Sequence, residues 1–200
     1  MKKYCLAAVL VFGVLFQAYA QTRPFIGYDQ VAWGASVEDV RNAYNMGNDI
    51  VLLPSNADPN NTSTDPNIGV LIQENVSPSI SRRVFYFNKY KTGSYQLYRV
   101  WVTYSNHSDA NRDTLLGLLE QRYGNRTNRQ VQSGQNLAII YDNFIYTFGR
   151  FAPDIEVELH HAKGTVQGYE SRVGYGSMEL RIVYTWKGFR DEYLASQLGF

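Results

Sequence analysis

Residues 95–124 change their hydrophobic period in mid-course, and that change constrains the fold more than any other feature of the chain. Residues 95–104 alternate: Tyr98, Val100, Val102 and Tyr104 fall on one side of an extended strand, Leu97 and Trp101 on the other. After residues 105–108 the apolar positions become Leu115, Leu116, Leu118, Leu119 and Tyr123, spaced for a helix that Gly124 stops. A period of two giving way to one of about 3.6 marks a strand that hands the chain to a helix packed back on a sheet.

Other stretches fall in around this one. Residues 82–90 alternate Val84 and Tyr86 against Phe85 and Phe87, and a short link with Gly93 joins them to the central strand as a hairpin. Residues 68–76 read as a further strand. A polar stretch, residues 125–135, precedes residues 137–141 and 144–148, which are expected to pair as a second hairpin turning at Asp142 and Asn143. Residues 154–161 set Ile155, Val157, Leu159 and His161 against Glu156, Glu158 and His160, the mark of one dry face and one wet face. Residues 162–177 hold four glycines and are expected to form a loop or a loose hairpin tip. The last strand puts Met178, Leu180, Ile182, Tyr184 and Trp186 on one face, and a short helix with Phe189, Tyr193 and Leu194 closes the chain.

Nearer the N-terminus, Ser36 stands where a helix cap belongs, with Asp39 three residues on. Val37, Val40 and Tyr44 make one stripe, Gly47 offers a stop, and Trp33 is placed to pack on the entry. Three prolines and many Asn, Asp, Ser and Thr mark residues 54–67 as a mobile loop. The expected fold is α+β: an antiparallel sheet built from hairpins, with two or three short helices packed on it. The helix ends at Tyr44-Asn-Met-Gly47 and Tyr123-Gly124 look alike. A duplicated helix–strand unit is one reading; a commonplace glycine stop is the other.

Residues 1–20 carry Lys2 and Lys3, an apolar run over residues 6–16 and a small-x-small Ala18-Tyr19-Ala20, the order of a secretory signal peptide. The apolar run is too short to span a bilayer, which takes roughly 20 residues. Cleavage leaves residues 21–200 as a single exported domain, in the periplasm or outside the cell, with no integral membrane segment. The single cysteine, Cys5, leaves with the leader, so the exported chain has neither a disulfide nor a thiolate and must rely on an ordinary core. Removing Lys2 and Lys3 leaves 17 Lys and Arg against 18 Asp and Glu, from 19 against 18 in the whole chain. Such balance, with no basic patch, points away from nucleic acid.

Two sets of residues stand out as candidate sites. Tyr95, Leu97 and Trp101, with Phe85 and Phe87 beside them, could form an aromatic platform for sugar rings, peptide or a partner protein; covered by a helix layer they are core instead. Glu156, Glu158 and His160 share a strand face at metal-ligand spacing, but no fourth ligand is in view, so a solvated face is the plainer reading and no metal or other cofactor is expected. His161, on the dry side, reads as a hydrogen-bonded structural group. Gly174-Tyr175-Gly176-Ser177 lacks the final glycine of a nucleophile elbow, and no catalytic set emerges.

The entry Trp33-Gly34-Ala35-Ser36-Val37-Glu38-Asp39-Val40, with the helix end Leu119-x-x-x-Tyr123-Gly124, resembles uncharacterised exported bacterial α+β proteins. Its Gly-x-Ser-x-x-x-Val portion is also similar to the helix entry of small outer-membrane-assembly lipoproteins of the SmpA/OmlA kind. The chain departs from that pattern in having no lipid-acceptor cysteine after the leader and no Leu-Gly-x-Pro after the helix. The resemblance implies an envelope scaffold or interaction module and no enzyme. An exported binding or scaffolding protein, its partner an envelope protein or glycan, is the expectation. The rival is a hydrolase of an envelope polymer acting through Glu156, Glu158 and His160.

Overall fold

A computed structural model of the chain describes residues 27–47, 50–54, 57, 65–89, 92–136, 139–150, 152–166 and 176–197. The expected leader at residues 1–20, most of the loop expected at 54–67 and the glycine-bearing residues 167–175 lie outside them. The elements run β1 (Gly27–Tyr28), β2 (Val31–Ala32), α1 (Val37–Ala43), β3 (Leu53–Pro54), β4 (Ile68–Glu74), β5 (Ile80–Asn88), β6 (Gln96–Tyr104), α2 (Asp109–Tyr123), β7 (Asn128–Asn136), β8 (Ile139–Phe148), β9 (Ile155–Val166), β10 (Gly176–Trp186) and α3 (Lys187–Gln197). The first two strands form a small ribbon; the other eight form one antiparallel sheet in the order β3-β4-β5-β6-β10-β9-β8-β7. The fold is therefore α+β, and no described helix is long and apolar enough to cross a membrane.

That strand order divides the chain into two like halves. Each is a helix followed by a four-stranded meander, and the last strands of the two meanders, β6 and β10, lie side by side. Arg99-Val100-Trp101-Val102-Thr103-Tyr104 runs antiparallel to Arg181-Ile182-Val183-Tyr184-Thr185-Trp186, with Trp101 opposite Val183, Arg99 opposite Thr185 and Arg181 opposite Thr103. An approximate two-fold axis passes through the Trp101–Val183 pair. The likeness of the helix ends at Tyr44 and Tyr123 belongs to this shared element order.

Local chemistry sets the helices. Ser36 caps α1: its hydroxyl accepts from the Asp39 amide at 3.1 Å, and the Asp39 carboxylate accepts from the Ser36 amide at 3.0 Å. The expected stop at Gly47 comes earlier, where Asn45 takes the left-handed conformation with φ 49°. Ser108 caps α2 and Gly124, at φ 88°, ends it. Leu115, Leu116, Leu119 and Tyr123 press α2 onto Tyr146, Phe148, Leu159, Leu180 and Ile182, whereas Leu118 faces solvent. Alongside, Val40 and Met46 from the α1 segment cover Leu71, Phe85, Phe87, Leu97, Val100 and Val102. Trp33 packs against both clusters and so bridges the halves. On the opposite sheet face, Phe189 and Tyr193 of α3 cover Ile68, Val70, Val84, Tyr86 and Tyr98.

Three expectations are corrected. Between β5 and β6 the register slips after Tyr86, so Arg99 pairs with Tyr86 and Leu97 with Phe87. Tyr98 is the extra residue of a β-bulge, and past a bulge the alternation changes faces. Leu97 thus joins Val100 and Val102 under α1, and Tyr98 joins Trp101 on the α3 side. Second, Asp142 and Asn143 do not turn the chain. They lie within β8, whose hairpin partner is β7; the Ser133 hydroxyl donates to Asp142 at 2.6 Å and the Asn143 side-chain nitrogen lies 3.2 Å from His160 Nδ1. Third, residues 162–177, expected as a loop or a loose hairpin tip, join two antiparallel strands that reach further in than expected, β9 running to Val166 and β10 starting at Gly176. Gly164 permits this, since a Cβ there would come within 2.6 Å of the Ile140 carbonyl oxygen.

Candidate functional site

The five residues expected to form one aromatic platform are split between the two faces of the sheet. Phe85, Phe87 and Leu97 are wholly buried beneath the α1 segment. Tyr95 packs at the margin of that cluster, with the Lys89 ammonium 5.3 Å from its ring centre. Trp101 lies on the opposite face. The bulge at Tyr98 parts Leu97 from Trp101, Phe85 faces away because Trp101 pairs with its neighbour Val84, and the helix layer makes three of the five core.

Around Trp101 the second face carries a different set of groups. Its ring lies 5.1 Å from that of Tyr86, and the Arg181 guanidinium stands 4.5 Å from its centre. Arg181 also holds Glu179 at 3.3 Å. Across the two-fold axis, Arg99 donates from Nε to the Thr185 hydroxyl at 3.2 Å. Glu156, Glu158 and His160 share this face, as their alternation predicts, and Glu158 stands in the same cross-strand row as Val183 and Trp101.

These polar groups are already engaged with one another. Glu158 Oε2 lies 3.2 Å from His160 Nε2, and the Asn143 side-chain nitrogen lies 3.2 Å from His160 Nδ1. That bond to His160, helped by Arg99 and Arg190, holds the Glu158 carboxyl below its ordinary range against the effect of burial. Glu156 turns instead to Arg190 of α3. The three do not converge on one point, and among the described residues no three His, Cys, Asp or Glu side chains do. The strip from Arg190 and Glu156 through Arg99, Trp101, Glu158 and His160 to Arg181 is thus aromatic at its centre, charged in both signs and internally compensated.

Two further arrangements were invisible in the sequence because their members are far apart along it. His161, fully buried, has Nε2 2.9 Å from the Ser177 hydroxyl and 3.1 Å from the His107 carbonyl, while Nδ1 is 3.8 Å from Asp109. The outline is that of a Ser–His–Asp triad, but the chemistry differs. A carbonyl only accepts, so Nε2 carries the proton and donates it, and the ring's lone pair sits on Nδ1, away from Ser177. Asp109 is held by Lys163 at 2.9 Å and Arg112 at 2.8 Å, which keep its carboxyl below the usual range. His161 therefore pins the start of α2 to β9 and β10. On the same face of the sheet, buried Arg83 stacks 4.7 Å from the Tyr44 ring centre and 5.9 Å from that of Tyr28, whose phenol burial pushes up to about 12.

No protein-family model, curated protein or solved structure matches the chain.

Proposed function

We propose that the chain is an exported cell-envelope protein that works by binding or scaffolding, and that it meets its partner through the second sheet face around Trp101. The observation that carries this is the compensated polar strip flanking an aromatic ring, beside the end of the sheet that α3 covers. Because Arg181 pairs with Glu179, Glu156 with Arg190 and Glu158 with His160, a strongly charged ligand gains little there. A neutral polar surface suits it better, a glycan ring stacked on Trp101 or an uncharged protein surface. The charged n-region, apolar run and Ala18-Tyr19-Ala20 of residues 1–20 support the address, and the similarity of residues 34–40 to envelope-assembly lipoproteins points the same way.

The hydrolase alternative needs two carboxylates free to act on one bond. Glu156 is committed to Arg190, which leaves the Glu158–His160 pair alone and makes the enzyme the weaker reading. The test is capture from envelope extract by the exported protein, wild type beside Trp101→Ala and Arg181→Ala. A component held by the wild type and lost with both variants is the expected result. Identical capture by all three, or loss of polymer hydrolysis on Glu158→Gln, would overturn the proposal.

A further inference from the structure

Strand β7 forms one outer edge of the sheet, and it lacks the devices that usually keep such edges apart. At the other edge, β3 is two residues long and contains Pro54, which offers no N–H. β7 runs for nine residues, pairs along its length with β8, and among the described residues pairs with no strand on its outer side. It has no proline, its register against β8 is unbroken, and residues 128–133 are all exposed. An edge of this length left bare is a template for another strand.

We propose that β7 is an association surface and that its occupant is β7 of a second copy of the chain, added antiparallel so that two eight-stranded sheets become one. Its composition supports self-pairing: Asn128, Gln130 and Gln132 carry amides that both donate and accept, so a like edge meets them without repulsion. Full overlap places Gln132 opposite its own counterpart and Arg129, the strand's only charge, opposite residue 135, an uncharged Gln. The Arg129 guanidinium is drawn off the edge, 5.5 Å from the Phe144 ring centre and 5.9 Å from that of Tyr146 on β8. This register also keeps the helix layers of both copies on the same side, because residues of the same facing oppose each other. Val131, the strand's exposed apolar residue at 52%, would then lie against the added strand.

One strand pair is a small interface, so association belongs in the micromolar range. Sedimentation of the exported protein from low to high micromolar concentration should show monomer passing to dimer. Gln132→Lys and Gln132→Glu, both exposed and neutral for the fold, should each raise the concentration needed about fivefold by setting like charges opposite one another. An equimolar mixture should restore pairing, because Lys then faces Glu. Thermal unfolding of each variant checks that the fold is intact. A wild type that stays monomeric at high micromolar concentration, variants that dimerise as well as the wild type, or a mixture that fails to recover would each overturn the proposal.

Discussion

His161 is a fully buried side chain held in its neutral form. Burial, first, and the nearby Arg112 and Lys163 hold its ring below the ordinary histidine value; the His107 carbonyl and Asp109 oppose them. The unfolded chain therefore takes up a proton at a pH where the folded chain does not. The stability this neutral ring contributes is whole above the unfolded value of about 6.5 and is lost as the pH falls from there toward the lower folded value. Thermal unfolding should show the wild type losing stability as the pH falls below about 6.5, with His161→Gln flatter there. Equal slopes for the two proteins would assign the loss elsewhere. Phe87 gives a second test at this scale. As a buried core ring it should cost about 3–5 kcal/mol on Phe87→Ala, read from the denaturant midpoint; under about 1 kcal/mol would return it to a surface role.

Elements were legible in the sequence wherever a local rule governs them. Caps act within one turn, so Ser36 announced the start of α1 and Gly124 the end of α2. Ser36→Ala should lower stability by about 1 kcal/mol in thermal unfolding, and no change would mean the capping box is not formed. β9, with one dry face, was equally plain, and the facing of Glu156, Glu158 and His160 followed from that. β7 was not, because an edge strand wet on both faces has no hydrophobic period to read. The Tyr98 bulge was hidden for another reason: Leu97, Tyr98, Val100 and Trp101 are all apolar or aromatic, so either facing suits the pattern, and only pairing with β5 decides it. That one residue put Leu97 and Trp101 on opposite faces of the sheet.

At the scale of the whole molecule, the pairing of β6 with β10 joins two like halves and places their arginines, Arg99 and Arg181, on one face at either side of Trp101. The sequence held traces of this in the matching helix ends and the two Arg-to-aromatic runs, but residues about 80 apart become neighbours only when the sheet closes, and their meeting has no local signal. The same closure sends Phe85, Phe87 and Leu97 under the helix layer and leaves the compensated strip on the other side. Acrylamide quenching of a Trp33→Phe, Trp186→Phe protein, in which Trp101 is the sole indole, tests that placement most directly. Clear quenching of Trp101 in the folded state is predicted; emission as protected as that of a wholly buried indole would contradict an accessible contact face.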